Sequence, residues 1–82
     1  MEGAEPFSPS GLLFDDHVIS FTEPGAIGEQ TGLQPGDKIL SINGRPADED
    51  SLNIIDERLT AGRSVMIEYE RDGQRKIATL RW

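Results

Sequence analysis

The run Gly32, Leu33, Gln34, Pro35, Gly36, Asp37, Lys38, Ile39, Leu40, Ser41, Ile42, Asn43, Gly44 constrains this chain more than any other stretch. Each punctuating residue in it has a backbone task. Gly32 can adopt the left-handed conformation that ends a short helix, with Leu33 placed for the apolar contact that accompanies such a cap. Pro35-Gly36 suits a tight turn, because proline presets φ and glycine accepts positive φ. Asp37 then opens a strand in which Leu40 and Ile42 are expected on one face and Ile39 and Ser41 on the other. Asn43-Gly44 closes that strand with a hairpin signal. The order helix, turn, strand, hairpin is therefore written into thirteen consecutive residues.

With 82 residues the chain has room for one domain with a modest core, burying roughly 60 to 65% of its unfolded surface. It contains no cysteine, so packing and hydrogen bonds must stabilise it without disulfides or thiolate metal sites. That absence leaves the compartment open. Eight basic against fifteen acidic residues give a net charge of −7, which repels nucleic acid and anionic lipid and argues against both as partners. No apolar stretch approaches the roughly 20 residues needed to span a bilayer, so no direct membrane insertion is expected. Residues 1–10 lack the basic and apolar regions of a signal peptide. With Gly3, Pro6 and Pro9 among them, they read as a flexible leader, as if the chain had been cut from a larger protein.

From Gly11 onward apolar residues fall into short groups at 12–14, 18–21, 39–42, 52–59, 65–69 and 77–82. Only the fourth has helical spacing, with Leu52, Ile55 and Leu59 at i, i+3 and i+7 and Ile54 widening the stripe. Asp48, Glu49, Asp50 and Ser51 can cap its start and meet the positive end of its dipole, and Gly62 is a natural stop. Val65, Ile67 and Tyr69 alternate with Met66, Glu68 and Glu70 as in a half-exposed strand. Asp72-Gly73 predicts a hairpin. The return strand carries Ile77 on one face and Ala78, Leu80 and Trp82 on the other, which suggests cover on both sides near its end.

Taken in order, Gly32-Leu33-x-x-Gly36-Asp37-x-Ile39, Asn43-Gly44, a helix, and a strand-Asp72-Gly73-strand hairpin resemble the PDZ domain family, in the circularly permuted form found in bacterial protease-associated proteins. The resemblance spans residues 11–82, the expected domain. It implies an α+β fold: a small antiparallel β-sandwich or partly open barrel of five to six strands, with one full helix and one short helix near 26–31. Where relatives often carry Ser-Pro-Ala-Ala this chain has Ala26-Ile27-Gly28-Glu29, and Gly28 should weaken the short helix by about 1 kcal/mol relative to alanine.

The resemblance also implies a function: binding a peptide C-terminus, or an extended peptide, by strand addition. The carboxylate-receiving loop maps onto Gly11, Leu12, Leu13 and Phe14, where glycine can let successive N–H groups converge on an anion. Leu13 stands where the family has a second glycine. The opposite wall maps to Ser51 or Leu52, Ile55, and Arg58 or Leu59, which implies a ligand apolar at its end, held by Leu12, Phe14, Ile55 and Leu59. Arg81 is the expected local cation for the ligand carboxylate. The bland reading makes Leu12, Leu13 and Phe14 plain strand core, and turns Leu52, Ile55 and Leu59 to the core. A periplasmic or cell-envelope setting follows from the resemblance alone.

Catalysis has little to work with. Asp15-Asp16-His17 is the only place where an imidazole adjoins carboxylates, and it reads as a turn between Phe14 and Val18. Asp48, Glu49 and Asp50 lack the spaced ligands and glycine of a calcium loop. No catalytic residue, metal site or cofactor is expected. The expected identity is a peptide-binding module, the regulatory or substrate-recognition domain of a larger bacterial protease, with the neighbouring protease domain as second partner. A structural packing module with no peptide ligand of its own is the alternative.

Overall fold

The computed structural model describes residues 9–81. Eight elements follow one another: β1 (Leu12–Asp15), β2 (Val18–Thr22), α1 (Ile27–Thr31), β3 (Lys38–Ile42), β4 (Arg45–Pro46), α2 (Glu49–Thr60), β5 (Val65–Arg71) and β6 (Gln74–Leu80). The strands form one antiparallel six-stranded sheet in the order β1-β2-β3-β5-β6, with β4 paired to β3. This is the expected α+β fold, antiparallel with one full helix and one short one, and its six strands form a single open sheet. Helix α2 packs against β3 and β5, and α1 packs against β6. No helix among the described residues is long and apolar enough to cross a membrane.

The turn chemistry acts as the sequence implies. Gly32 takes φ 105° as the α1 C-cap and donates to the Glu29 carbonyl, while Leu33 N–H reaches back to Gly28 at 3.1 Å and its side chain is buried. Gly36 has φ 98° in the turn closed by Asp37 N–H on the Gln34 carbonyl. Asn43 and Gly44, and again Asp72 and Gly73, all have positive φ, the backbone that a two-residue hairpin requires. Asn43 does more than turn. Its N–H donates to the Met66 carbonyl at 2.8 Å and its Oδ1 accepts from Met66 N–H at 2.9 Å, which pins the β3–β4 corner to β5.

Asp37 anchors the signature run. Its carboxylate is almost wholly buried, accepts from Gln34 N–H, and takes a forked pair of bonds from Arg71 Nε and Nη2 at 2.8 and 2.6 Å. Arg71 Nη2 also donates to the Gly32 carbonyl, so one guanidinium joins the helix cap, the turn and the end of β5. Its guanidinium lies 5.4 Å from the Tyr69 ring centroid.

Two strand expectations are corrected. Ile39 and Ile42, expected on opposite faces of β3, are both buried. A bulge between Ile39 and Ser41 leaves Leu40 without a partner on β5, and the Leu40 carbonyl instead accepts from Ala47 N–H. The extra residue resets the alternation, so Ile42 returns to the core. Ile77, expected under cover, is 66% exposed; it lies opposite Glu68 on the outer face of the β5–β6 hairpin. Trp82 lies outside the described residues, as do residues 1–8 of the expected leader. Ser10 is bound into the fold, with its carbonyl accepting from Gly28 N–H and its side chain buried.

Gly28 has a role that helix propensity does not show. A Cβ placed on it would lie 2.7 Å from the Ser10 carbonyl oxygen and 2.6 Å from Leu12 Cδ2. The short helix carries glycine because the backbone before β1 crosses it at contact distance.

Candidate functional site

Strand β1 is an edge. Among the described residues it pairs with β2 alone, through Leu12 with Thr22, Leu13 with Phe21, Phe14 with Ile19 and Asp15 with Val18, with a register shift between Leu13 and Phe14. Its other side faces α2 across a groove of about 470 Å³. Leu12, Leu13, Phe14, Asp16 and His17 line the first wall, and Glu49, Leu52, Asn53 and Asp56 the second. An edge strand beside an open groove presents alternate N–H and C=O groups that a further strand can satisfy.

The second wall follows from helix geometry. Glu49, Leu52, Asn53 and Asp56 recur at i, i+3, i+4 and i+7 and form one stripe. Ser51, Leu52, Ile55 and Leu59 form the adjoining buried stripe, and Leu52 alone belongs to both. The groove face is thus turned roughly 100° about the helix axis from Ile55. Asp48 caps α2 by accepting from Ser51 N–H at 2.7 Å, and that bond holds its carboxyl below the usual range.

The expected site residues divide accordingly. Leu12 and Phe14 line the groove while packing on the core, and Leu13 lines it while 58% exposed. Leu52, rather than Ser51, faces the groove. The Ser51 hydroxyl is turned away to donate to the Pro46 carbonyl. Ile55 and Leu59, expected to hold the ligand's last side chain, have 1% and 0% exposure and leave no surface for a ligand. Arg81 is exposed beyond β6 and is not part of the groove lining.

Gly11 does turn with positive φ, at 67°, but close packing also demands glycine there. A Cβ would lie 2.4 Å from the Ala26 Cβ and 2.7 Å from the Glu23 Cβ, and the Gly11 carbonyl accepts from Glu23 N–H. The N–H groups of this corner are partly engaged. Leu12 N–H meets the Ser10 hydroxyl at 3.3 Å, and Ser10 N–H donates to Asp56 Oδ1 at 2.9 Å. That last bond ties the start of β1 to α2 and sets a carboxylate at the end of the groove.

Sequence reasoning missed Ser10, Asp16, His17, Glu49, Asn53 and Asp56. The stripe Glu49, Asn53, Asp56 was available as the polar flank of the apolar one; which flank meets β1 was not. Among the described residues no group of three or more His, Cys, Asp or Glu side chains is placed to hold a metal ion.

With this geometry in hand, comparison with known proteins identifies the class. The family profile described as "PDZ domain" matches residues 18–71, more than half of the chain. The chain belongs to the PDZ domain family, a family of binding modules rather than catalysts. Similar proteins include Protease RseP of Yersinia pestis, 28% identical over 65 residues that make up 79% of this chain and 14% of that protein. A Rhizobium meliloti protein assigned by name to the zinc metalloproteases is 42% identical over 40 residues, covering 49% of this chain and 11% of that one. The chain therefore spans only a small fraction of the proteases it matches. Among solved structures, the HtrA3 PDZ domain bound to a phage-derived ligand (FGRWV) superposes with TM-score 0.66 at 23% identity, over 78% of this chain and 60% of that one. An aminopeptidase N family protein from Idiomarina loihiensis superposes with TM-score 0.74 at 24% identity, over 100% of this chain and 15% of that one. Both structural likenesses concern the fold.

Proposed function

We propose that this domain binds an extended peptide as an added strand on β1, between that strand and α2, and that it serves as the substrate-recognition or regulatory domain of a larger bacterial protease. The observation that carries the reading is the edge of β1 facing α2 across an open groove. Backbone groups of residues 12–15 would supply affinity, and the side-chain pockets beside Leu12, Phe14 and Leu52 would supply preference. The relatives named as proteases supply the setting. The HtrA3 PDZ domain, which shares the fold, was solved bound to a phage-derived ligand (FGRWV), in keeping with a peptide as occupant.

The test is an amide NMR titration of the 82-residue chain with pooled short peptides, repeated on Asn53→Trp. Asn53 is exposed, so the bulky replacement fills the groove without entering the core. Shifts confined to residues 12–15 and to Leu52, Asn53 and Asp56, and lost in the variant, are expected. Shifts from no pool, with the fold intact, would defeat the reading.

A second reading, a module that packs against a neighbouring domain, is favoured by the exposed apolar side chains Phe21, Met66 and Ile77 on the outer surface of the sheet. Tethering the chain to its adjoining domain and measuring protection of Met66 and Ile77 would separate the two.

A further inference from the structure

We infer that the groove selects an extended internal segment bearing lysine or arginine, and not a free C-terminal carboxylate. This rests on the groove reading above and names the chemistry of the occupant.

Three observations converge on it. Among the described residues the walls carry three carboxylates, Asp16, Glu49 and Asp56, and no lysine or arginine. Leu12, Phe14 and Leu52 provide apolar wall between them, so the groove accommodates aliphatic stems with cationic ends. The end of the groove beside Gly11 is also chemically occupied. There Asp56 Oδ1 accepts from Ser10 N–H, and the Ser10 hydroxyl meets Leu12 N–H. A peptide carboxylate arriving at this corner would find Leu12 N–H already facing the Ser10 hydroxyl and the Asp56 carboxylate fixed beside it on Ser10 N–H, and would be repelled by that charge. Arg81, the cation that could have offset that repulsion, lies outside the groove lining.

Spacing fits the same occupant. Along α2, Glu49 and Asp56 are separated by seven residues, about 10 Å of axial rise. On an extended segment, side chains facing the same way recur every ~7 Å, and flexible lysine stems cover the difference. Two cations on one face of an added strand can therefore reach the Glu49 and Asp56 ends together. The chain's net charge of −7 steers such a segment inward and an anionic terminus away.

Three peptides sharing one apolar centre make the test: an amidated form with two same-face lysines, an amidated form with two glutamates, and a lysine-free form with a free carboxylate. Fluorescence anisotropy and amide NMR would follow each with the 82-residue chain, with Glu49→Gln and with Asp56→Asn. The lysine amide is expected to bind best and to weaken as salt rises. Each charge-removing variant should cost it about 3- to 5-fold, the size of a partly exposed ion pair. Asp56→Asn keeps an acceptor for Ser10 N–H, and Glu49→Gln changes an exposed residue, so one folded variant suffices.

Tighter binding by the free-carboxylate peptide than by the lysine amide, with shifts still at residues 12–15, would overturn this inference and leave strand addition intact. Lysine-amide affinity unchanged in a folded variant would overturn it as well. Shifts from none of the three would take the groove reading down with it.

Discussion

Gly28 shows how a local rule is overruled by tertiary contact. Alanine is the better helix former by about 1 kcal/mol, yet a Cβ there meets the Ser10 carbonyl at 2.7 Å and Leu12 at 2.6 Å. Overpacking of this kind costs about 1 to 3 kcal/mol, and the carbonyl cannot move without releasing its bond from Gly28 N–H. Gly28→Ala is expected to lower the thermal midpoint by several degrees in a circular dichroism melt; a rise would show that helix propensity dominates. Asp37 is the second decisive residue. Burial disfavours its charged form, but the Arg71 hydrogen bond, the Gln34 N–H and the charges of Arg71 and Lys76 outweigh it and hold its carboxyl below the usual value. A depressed folded pKa contributes stability that is fully present above the unfolded value of about 3.9 and lost as pH falls through the folded one. Urea midpoints should therefore fall below about pH 4, and the fall should be shallower in Asp37→Asn, measured from that variant's own lower plateau.

At the level of elements, α2 separates two duties on adjoining faces. Ile55 is buried, so Ile55→Ala should cost about 2 to 5 kcal/mol of unfolding free energy. Asn53, one groove position away, is exposed; Asn53→Ala should change stability by less than about 0.5 kcal/mol. Equal losses would mean that the faces are misassigned. The β3–β4 corner is the second element with a testable device. Asn43 supplies both a positive φ and a bond from Met66 N–H. Asn43→Gly keeps the turn and loses the bond, for about 1 kcal/mol, while Asn43→Ala adds backbone strain and should be the worse of the two in denaturant unfolding.

For the whole molecule, the sheet order decides where a partner can act. Strand β6 and the exposed Ile77 lie at one end of the order and β1 at the other, and the groove belongs to β1 because α2, packed on β3 and β5, stands across from that edge. Arg71 joins the helix cap at Gly32, the turn at Asp37 and β5 through one guanidinium. Arg71→Met, which leaves the Asp37 charge buried without its partner, should lower the midpoint by more than about 5 °C in a thermal melt. The same variant should leave peptide affinity nearly unchanged, since none of these residues lines the groove.

Much of the fold was legible because turns are local. Gly32, Pro35-Gly36, Asn43-Gly44 and Asp72-Gly73 need no distant residue to declare their backbone, and the period of Leu52, Ile55 and Leu59 declared α2 and its apolar stripe. Residues 32–44 thus determined the scaffold, and with it the family. Period alone could not say that a bulge at Leu40 would bring Ile39 and Ile42 to one face, that Ile77 would stay exposed, or that Gly28 would touch Ser10. Nor could it say that Glu49, Asn53 and Asp56 would face β1 while Ile55 and Leu59 would not. Those facts depend on contacts between residues far apart in the chain, such as Ser10 with Asp56, 46 positions away. A local conformation is a property of a few neighbouring residues, whereas a groove is a property of two surfaces whose relative rotation only packing decides. The sequence alone therefore determined what kind of domain this is, and the tertiary structure decided which side chains its groove displays.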